Sequence, residues 1–218
     1  MRFDLTDLAP DLAYKVLAST VTPRPIAWVT TLSRAGIVNA APYSFFNVVG
    51  SEPPTVVLGI LRDPKRGFKD TARNVLETGE FVVNLVPRAL AEAMNTTCMD
   101  APADVSELEL AGLSATPSTA VAPPRITESP VSFECQVLTS LVTGPEQVLV
   151  VGRVLTAHVA DEYVLDPRRA HIDTPRLDLI ARLHGSGWYA RSTDTFQLER
   201  PSWNTWCRSN PAERESTG

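Results

Sequence analysis

Cysteine is scarce in this chain: Cys98, Cys135 and Cys207 are the only three among 218 residues. Thiols so few and so scattered cannot build a disulfide framework or a zinc knuckle, and an odd count fits a reducing compartment, so a cytoplasmic location is expected. Histidine is equally rare. His158, His171 and His184 show no metal-like spacing and there is no HExxH motif, which argues against a metal. No run approaches the roughly 18 apolar residues needed to cross a bilayer, and Met1-Arg-Phe-Asp-Leu-Thr-Asp7 lacks the apolar core of a leader peptide, so no membrane association is expected. Basic runs are missing too, and a formal net charge of -5 argues against a general nucleic-acid surface. No G-x-G-x-x-G opens a βαβ unit, so a nicotinamide dinucleotide would not be held in a Rossmann fold. No G-x-S-x-G elbow is present and Cys98 has no neighbouring base in sequence, so the cysteines read as structural.

What the chain does have is apolar residues, 44% of the total, enough for the core of one domain. Strand-like segments dominate: 26–31, 55–61, 81–86, 131–141, 147–159 and 195–198, each bounded by Gly, Pro, Ser or Asp. Apolar and polar residues alternate from Val131 to Val137, as expected of a strand with one wet face, whereas Val148 to Val151 reads as buried on both faces. Helical patterns are fewer, at 10–19, 69–76, 89–94 and 175–183, the last with a stripe of Leu177, Ile180 and Leu183. The fold class is therefore mainly β, an antiparallel core with peripheral α-helices. Proline, 18 residues in all, gathers between Thr116 and Pro124. That stretch is a loop which either crosses the β core or reaches a neighbouring subunit. Residues 1–205 are read as a single domain and 206–218 as a polar C-terminal tail, disordered from Ser209.

Three segments carry the chemistry: Thr22-Pro-Arg-Pro-Ile-Ala-Trp-Val-Thr-Thr31, Asn39-Ala-Ala-Pro-Tyr-Ser-Phe-Phe-Asn47 and Phe68-Lys-Asp-Thr-Ala-Arg-Asn74. Pro23 and Pro25 fix φ around Arg24, so its guanidinium is presented from a stiff segment. The second segment sets small residues beside a hydroxyl and two aromatics, a mixture that suits a planar ligand with polar edges. The third opens a helix, where free amides, the helix dipole and Lys69 would meet an anion. Together these segments resemble the flavin reductase-like family of FMN-binding split barrels, and the likeness runs from about Tyr14 to Leu198.

The resemblance implies a Greek-key antiparallel split β-barrel that binds FMN and forms a homodimer with the flavin close to the subunit boundary. Carried over residue by residue, it implies FMN contacts from Arg24, Pro25, Ile26, Ala27, Thr30 and Thr31, from Asn39, Ala40, Ala41, Ser44, Phe45, Phe46 and Asn47, and from Lys69, Asp70 and Thr71. Arg24 could hold the phosphate or stabilise the reduced ring, whose negative charge grows at N1 and O2, and backbone amides at 26–31 could do the same. Lys69 and Thr71 fall where the family binds the FMN phosphate. Gly185-Ser-Gly-Trp-Tyr189 is similar to the family's Gly-rich turn, which makes Trp188 and Tyr189 candidates for the substrate pocket. Trp203, Trp206 and Cys207 match nothing in the family pattern.

Three functions follow from that resemblance. In the first, NADH or NADPH stacks transiently on the flavin and delivers hydride, and electrons pass to free flavin or to an oxygenase partner. No side-chain acid or base is required, because transfer between stacked rings needs alignment. In the second, bound FMN reduces an organic acceptor such as a nitroaromatic acid or a quinone, oriented by Arg24 or another arginine. In the third, the protein is a non-catalytic flavin- or haem-binding electron relay.

Overall fold

In the computed structural model, which describes residues 1–61, 67–144, 147–203 and 205–206, the chain opens with helix α1 (Pro10–Thr20) and a short strand β1 (Arg24–Pro25). Four longer strands follow: β2 (Ala27–Leu32), β3 (Val38–Tyr43), β4 (Phe46–Ser51) and β5 (Pro54–Leu61). Helix α2 (Asp70–Thr78) ends on Gly79, whose left-handed conformation (φ 73°) stops the helix and sends the chain into β6 (Glu80–Asn84). Helices α3 (Ala91–Thr96) and α4 (Glu107–Leu110) come next, then β7 (Ala115–Thr116) and β8 (Arg125–Ile126) on either side of a loop. The long hairpin β9 (Val131–Gly144) and β10 (Gln147–Val159) precedes four short strands, β11 (Val164–Asp166), β12 (His171–Ile172), β13 (Ile180–Arg182) and β14 (Tyr189–Arg191).

Seven strands form one antiparallel sheet in the order β3-β2-β6-β9-β10-β5-β4, and β1, β13 and β14 form a second, smaller one. One buried cluster joins Ala27 and Val29 of β2 to Phe46 of β4, Leu58 of β5 and Val150 of β10, with Val75 of α2 closing over it. Residues from both ends of the sheet meet in that cluster, so the sheet is rolled around it. The two edge strands, β3 and β4, are joined by the turn at Ser44 and Phe45. Gly59 permits that turn to come close: its amide donates to the Phe45 carbonyl at 2.7 Å, and a Cβ there would stand 3.0 Å from the Phe45 Cβ.

The outer face of β2 is buried as well. Trp28 packs with Ile26, Ala40, Val86, Met94, Leu108, Ile126 and Ile180 in a second cluster, and its indole N–H donates to Thr97 Oγ1 at 2.9 Å. The wet face expected for β9 is corrected in the same way. Ser132 and Glu134 are buried there: the proline-rich loop at 117–124 lies across Glu134, and the Ser132 hydroxyl donates to Asn84 Oδ1 of β6. Glu134 accepts hydrogen bonds from the amides of Thr119 and Ala120, from the Thr119 hydroxyl and from His158 Nε2. Burial alone would raise the Glu134 carboxyl. These donors overcome it and hold the pKa down at about 2. The loop crosses the β core, the first of the two courses expected for it.

Other expectations change as well. The helix expected at 175–183 is a single 3-10 turn, Pro175–Leu177, followed by Asp178 in the left-handed region (φ 45°) and then β13. The apolar stripe is real in one respect, since Leu177 and Ile180 are both buried. The strand expected at 195–198 is irregular, with Phe196 and Leu198 exposed. Val148 and Val150 are fully buried, while Leu149 and Val151 are half-buried. Trp203 and Trp206 stack on each other with ring centres 5.3 Å apart. Cys207 and the tail expected to be disordered from Ser209 lie outside the described residues.

Candidate functional site

A cleft of about 700 Å³ opens where β3 passes the start of α2. Asn39, Ala41, Pro42 and Tyr43 of β3 form one wall and Phe68, Lys69, Asp70, Thr71 and Arg73 the opposite one. The segment from Thr97 to Ala103, Glu107 of α4 and Arg182 of β13 close the remainder. A smaller recess continues from it past Tyr14, Pro42, Tyr43 and Lys69 to Ser44 and Phe45.

The start of α2 gives the cleft its electrostatics. Lys69 is the N-cap in an extended conformation and no side chain caps the helix, so the amides of its first turn keep the partial positive charge of a helix start. Asp70 would oppose an anion here, but its carboxylate is taken by Arg73 at 2.7 Å. Among the described residues, the Lys69 ammonium has no ion pair. Thr71 is buried, and its Oγ1 accepts from Asn39 Nδ2 at 2.8 Å, which leaves the hydroxyl hydrogen free to donate.

Beside it, the Tyr43 phenol is buried without a hydrogen-bond partner. Burial pushes its pKa above the ordinary value of 10.0, and the nearby Thr71 hydroxyl opposes this without reaching hydrogen-bond geometry. Glu107 accepts from the Ala40 amide at 3.0 Å, and burial raises its carboxyl against the effect of that bond. Cys98 stands exposed at the cleft wall, and partial desolvation raises its thiol from its ordinary value against the charges of Arg182 and Lys69.

The candidate residues divide by location. Asn39, Ala41, Lys69, Asp70 and Thr71 line the cleft, and Ser44 and Phe45 line the recess. Phe46 and Asn47, with Phe45 again, face a separate groove against Val57, Thr143 and Leu149. Ile26, Ala27, Thr30, Thr31 and Ala40 are buried in packing, and Pro25 is exposed. The amides of 28–30 are used by the sheet, since β2 is paired on both sides there.

Arg24 does not line the cleft. Its guanidinium is buried and donates to the carbonyls of Ala18 (2.6 Å), Val21 (2.7 Å) and Leu183 (2.9 Å) and to Ser44 Oγ (3.3 Å). Of the two aromatics expected at a substrate pocket, Trp188 is exposed and stacks on His184, and Tyr189 lies under the Arg182 guanidinium. Tyr14, Cys98, Glu107 and Arg182 come to the cleft although no sequence motif marks them as site residues, and Tyr43 comes to it from within the second of the three segments.

The family model for the flavin reductase like domain matches residues 19–172, most of the chain and all three of the segments singled out in the sequence. The chain belongs to this family. An uncharacterized protein of Halalkalibacterium halodurans is 41% identical over 207 residues, covering 93% of this chain and 97% of that one. Among solved structures, nitrilotriacetate monooxygenase component B from Bacillus cereus superposes with a TM-score of 0.85 at 32% identity, covering 91% of this chain and 98% of its own. The 2-nitrobenzoate 2-nitroreductase NbaA of Pseudomonas fluorescens gives 0.83 at 32% identity, with 93% and 98% covered. The rolled sheet of this flavin reductase-like protein is thus the split barrel that the resemblance implied, and the family match supports a flavin cofactor.

Proposed function

We propose that this protein is an FMN-dependent oxidoreductase that takes hydride from NADH or NADPH and passes the electrons to free flavin, to an oxygenase or to a small organic acceptor. The observation that carries the reading is the uncapped start of α2, with Lys69 unpaired beside it among the described residues, facing a cleft that also holds a buried phenol without a partner. A phosphate suits the first feature. A ligand hydroxyl or carbonyl within the cleft would satisfy the second, which otherwise carries the cost of an unmade buried hydrogen bond.

In this reading Lys69, the Thr71 hydroxyl and the first-turn amides of α2 hold the FMN phosphate. Asn39, Ser44 and Tyr43 offer polar partners along the cleft, and Pro42 and Phe45 an apolar bed. When bound, FMN supplies the two-electron chemistry. The chain's part is to bind and align. Lys69 brings positive charge, and Arg24 ties α1 and the segment after β13 to the Ser44 turn so that the recess keeps its shape.

A homodimer is part of the same proposal. It is supported by the apolar side chains that β4 and β9 leave exposed: Val48, Val49, Leu138, Leu141 and Val142.

The test is the visible spectrum of the purified protein after FMN addition and desalting, followed by NADH and then NADPH under anaerobic conditions. Retained flavin absorbance that bleaches with a nicotinamide is the expected result. A protein that keeps no flavin, or a bound flavin indifferent to both donors, overturns the reading. Reoxidation by free FMN against reoxidation by a nitroaromatic then separates the two classes of acceptor.

A further inference from the structure

Phosphate binding at α2 leaves one cation of the cleft without a role. Arg182 ends β13, and its guanidinium is held by the carbonyls of Gly185 (2.8 Å) and Trp188 (3.3 Å) and laid over the Tyr189 ring, 4.9 Å from its centre. These contacts fix the direction of the fork but bring it no negative charge. Across the antiparallel pair β1–β13, Arg182 stands directly opposite Arg24, which is itself satisfied by neutral oxygens alone. Like charges directly opposite on paired strands repel. Among the described residues, no carboxylate lies within ion-pair distance of either arginine. The acids of the cleft are occupied: Asp70 by Arg73, Glu107 by the Ala40 amide, and Asp100 by a partner of its own.

The two unpaired cations differ in kind. Lys69 is a point charge beside a helix start, the arrangement that suits a phosphate. Arg182 is a planar fork aimed from a strand end, with no helix start behind it, and a planar fork matches a carboxylate by two parallel hydrogen bonds. Apolar surface for a flat ring lies in the same cleft at Phe68, Met99 and Pro102. We propose that Arg182 is a specificity-determining residue that binds the carboxylate of a small aromatic acid serving as electron acceptor. This rests on the flavin reading above. The rival source of an anion is a phosphate of the nicotinamide donor.

Binding of 4-nitrobenzoate and of the uncharged 4-nitrobenzamide to the FMN-loaded protein, followed by the change in flavin absorbance, tests it. The wild type is expected to bind the acid at least about tenfold more tightly than the amide. Arg182→Gln is expected to abolish that preference by weakening the acid about 10- to 100-fold, with the amide and FMN dissociation constants within about twofold of wild type. Arg182→Lys restores only part, because the charge returns without the fork. Equal binding of acid and amide by the wild type overturns the proposal, as does a loss of FMN affinity in Arg182→Gln. A raised KM for NADPH with an unchanged constant for the acid assigns the anion to the donor and overturns it too. If the protein keeps no flavin, the same comparison is made by tryptophan fluorescence. An Arg182-dependent preference for the acid then upholds this proposal while the flavin reading fails.

Discussion

Glu134 and His158 meet 2.6 Å apart under the proline-rich loop, with the carboxylate fully buried and the imidazole at its edge. That carboxylate is the anchor of the loop. Its folded pKa of about 2 lies below the ordinary 4.5, so its contribution to stability is complete above pH 4.5 and is lost as the pH falls from there through 2. Thermal unfolding followed by circular dichroism is expected to give a melting temperature that declines across that window. Glu134→Gln, which keeps the shape but not the charge, should cost about 1–3 kcal/mol at pH 7 and flatten the decline. An unchanged acid profile in the variant would show that other carboxylates set it.

Arg24 is expected to matter for folding more than for flavin affinity. Its removal would leave the carbonyls of Ala18, Val21 and Leu183 without their donor. Arg24→Ala is therefore expected to lower stability by about 3 kcal/mol, within the range typical of a broken buried network. Arg24→Lys should recover little, since an ammonium cannot reach three divergent acceptors as a guanidinium does. Urea denaturation of the flavin-free protein measures this directly.

Lys69→Ala should leave that denaturation curve within about 0.5 kcal/mol of wild type, because the side chain makes no ion pair among the described residues. FMN affinity, read by flavin fluorescence, should fall by about 1–3 kcal/mol, or roughly 5- to 150-fold. Raising the salt concentration should weaken the wild type and barely affect the variant. If affinity is untouched, the phosphate does not sit at α2.

These residues also show what the sequence could disclose. Lys69, Asp70 and Thr71 are legible because a helix start is local: the amides, the dipole and the cation come from adjacent residues. The hairpin of β9 and β10 is legible for a similar reason, being two long apolar strands joined directly. Glu134 misleads because alternation reports which residues share a face and not what later covers that face. Here a loop with no periodicity supplies the cover. Glu107 and Arg182 are invisible as site residues because each reaches the cleft from its own strand or helix, and nothing local marks a lone glutamate or arginine as facing a ligand. Arg24 is conspicuous in the sequence, and in the structure its guanidinium is engaged in holding the fold together. Its flanking prolines stiffen the segment as expected, but the acceptors it faces are backbone oxygens from segments before and after it.

The exposed valines of β4 bear on assembly. This strand is an edge of the large sheet, and an apolar edge invites pairing or packing with another chain unless charges protect it. Light scattering is expected to give a dimer, and Val48→Lys with Val49→Lys to give a monomer at micromolar concentration. If the flavin lies near the subunit boundary, that monomer should also retain less FMN after desalting. A wild type that is monomeric, or a variant that remains dimeric, would place the contact elsewhere or remove it.

The Tyr43 phenol allows the cost of an empty polar site to be separated from its use. In the flavin-free protein the hydroxyl is buried with nothing to bond, so Tyr43→Phe should stabilise it by about 1 kcal/mol. With FMN bound the sign should reverse. The phenol, kept protonated by its burial, is a donor to the ligand, and its loss should weaken FMN by about 2–3 kcal/mol, or roughly 30- to 150-fold, which outweighs the gain in the free protein. The measurement is a pair of thermal melts, with and without saturating FMN, on the wild type and the variant. Opposite shifts would identify Tyr43 as a residue that bears a folding cost for the sake of its ligand. Destabilisation in both states would mean that the hydroxyl already has a partner in the free protein, and the cleft would then hold no buried donor waiting for a polar ligand.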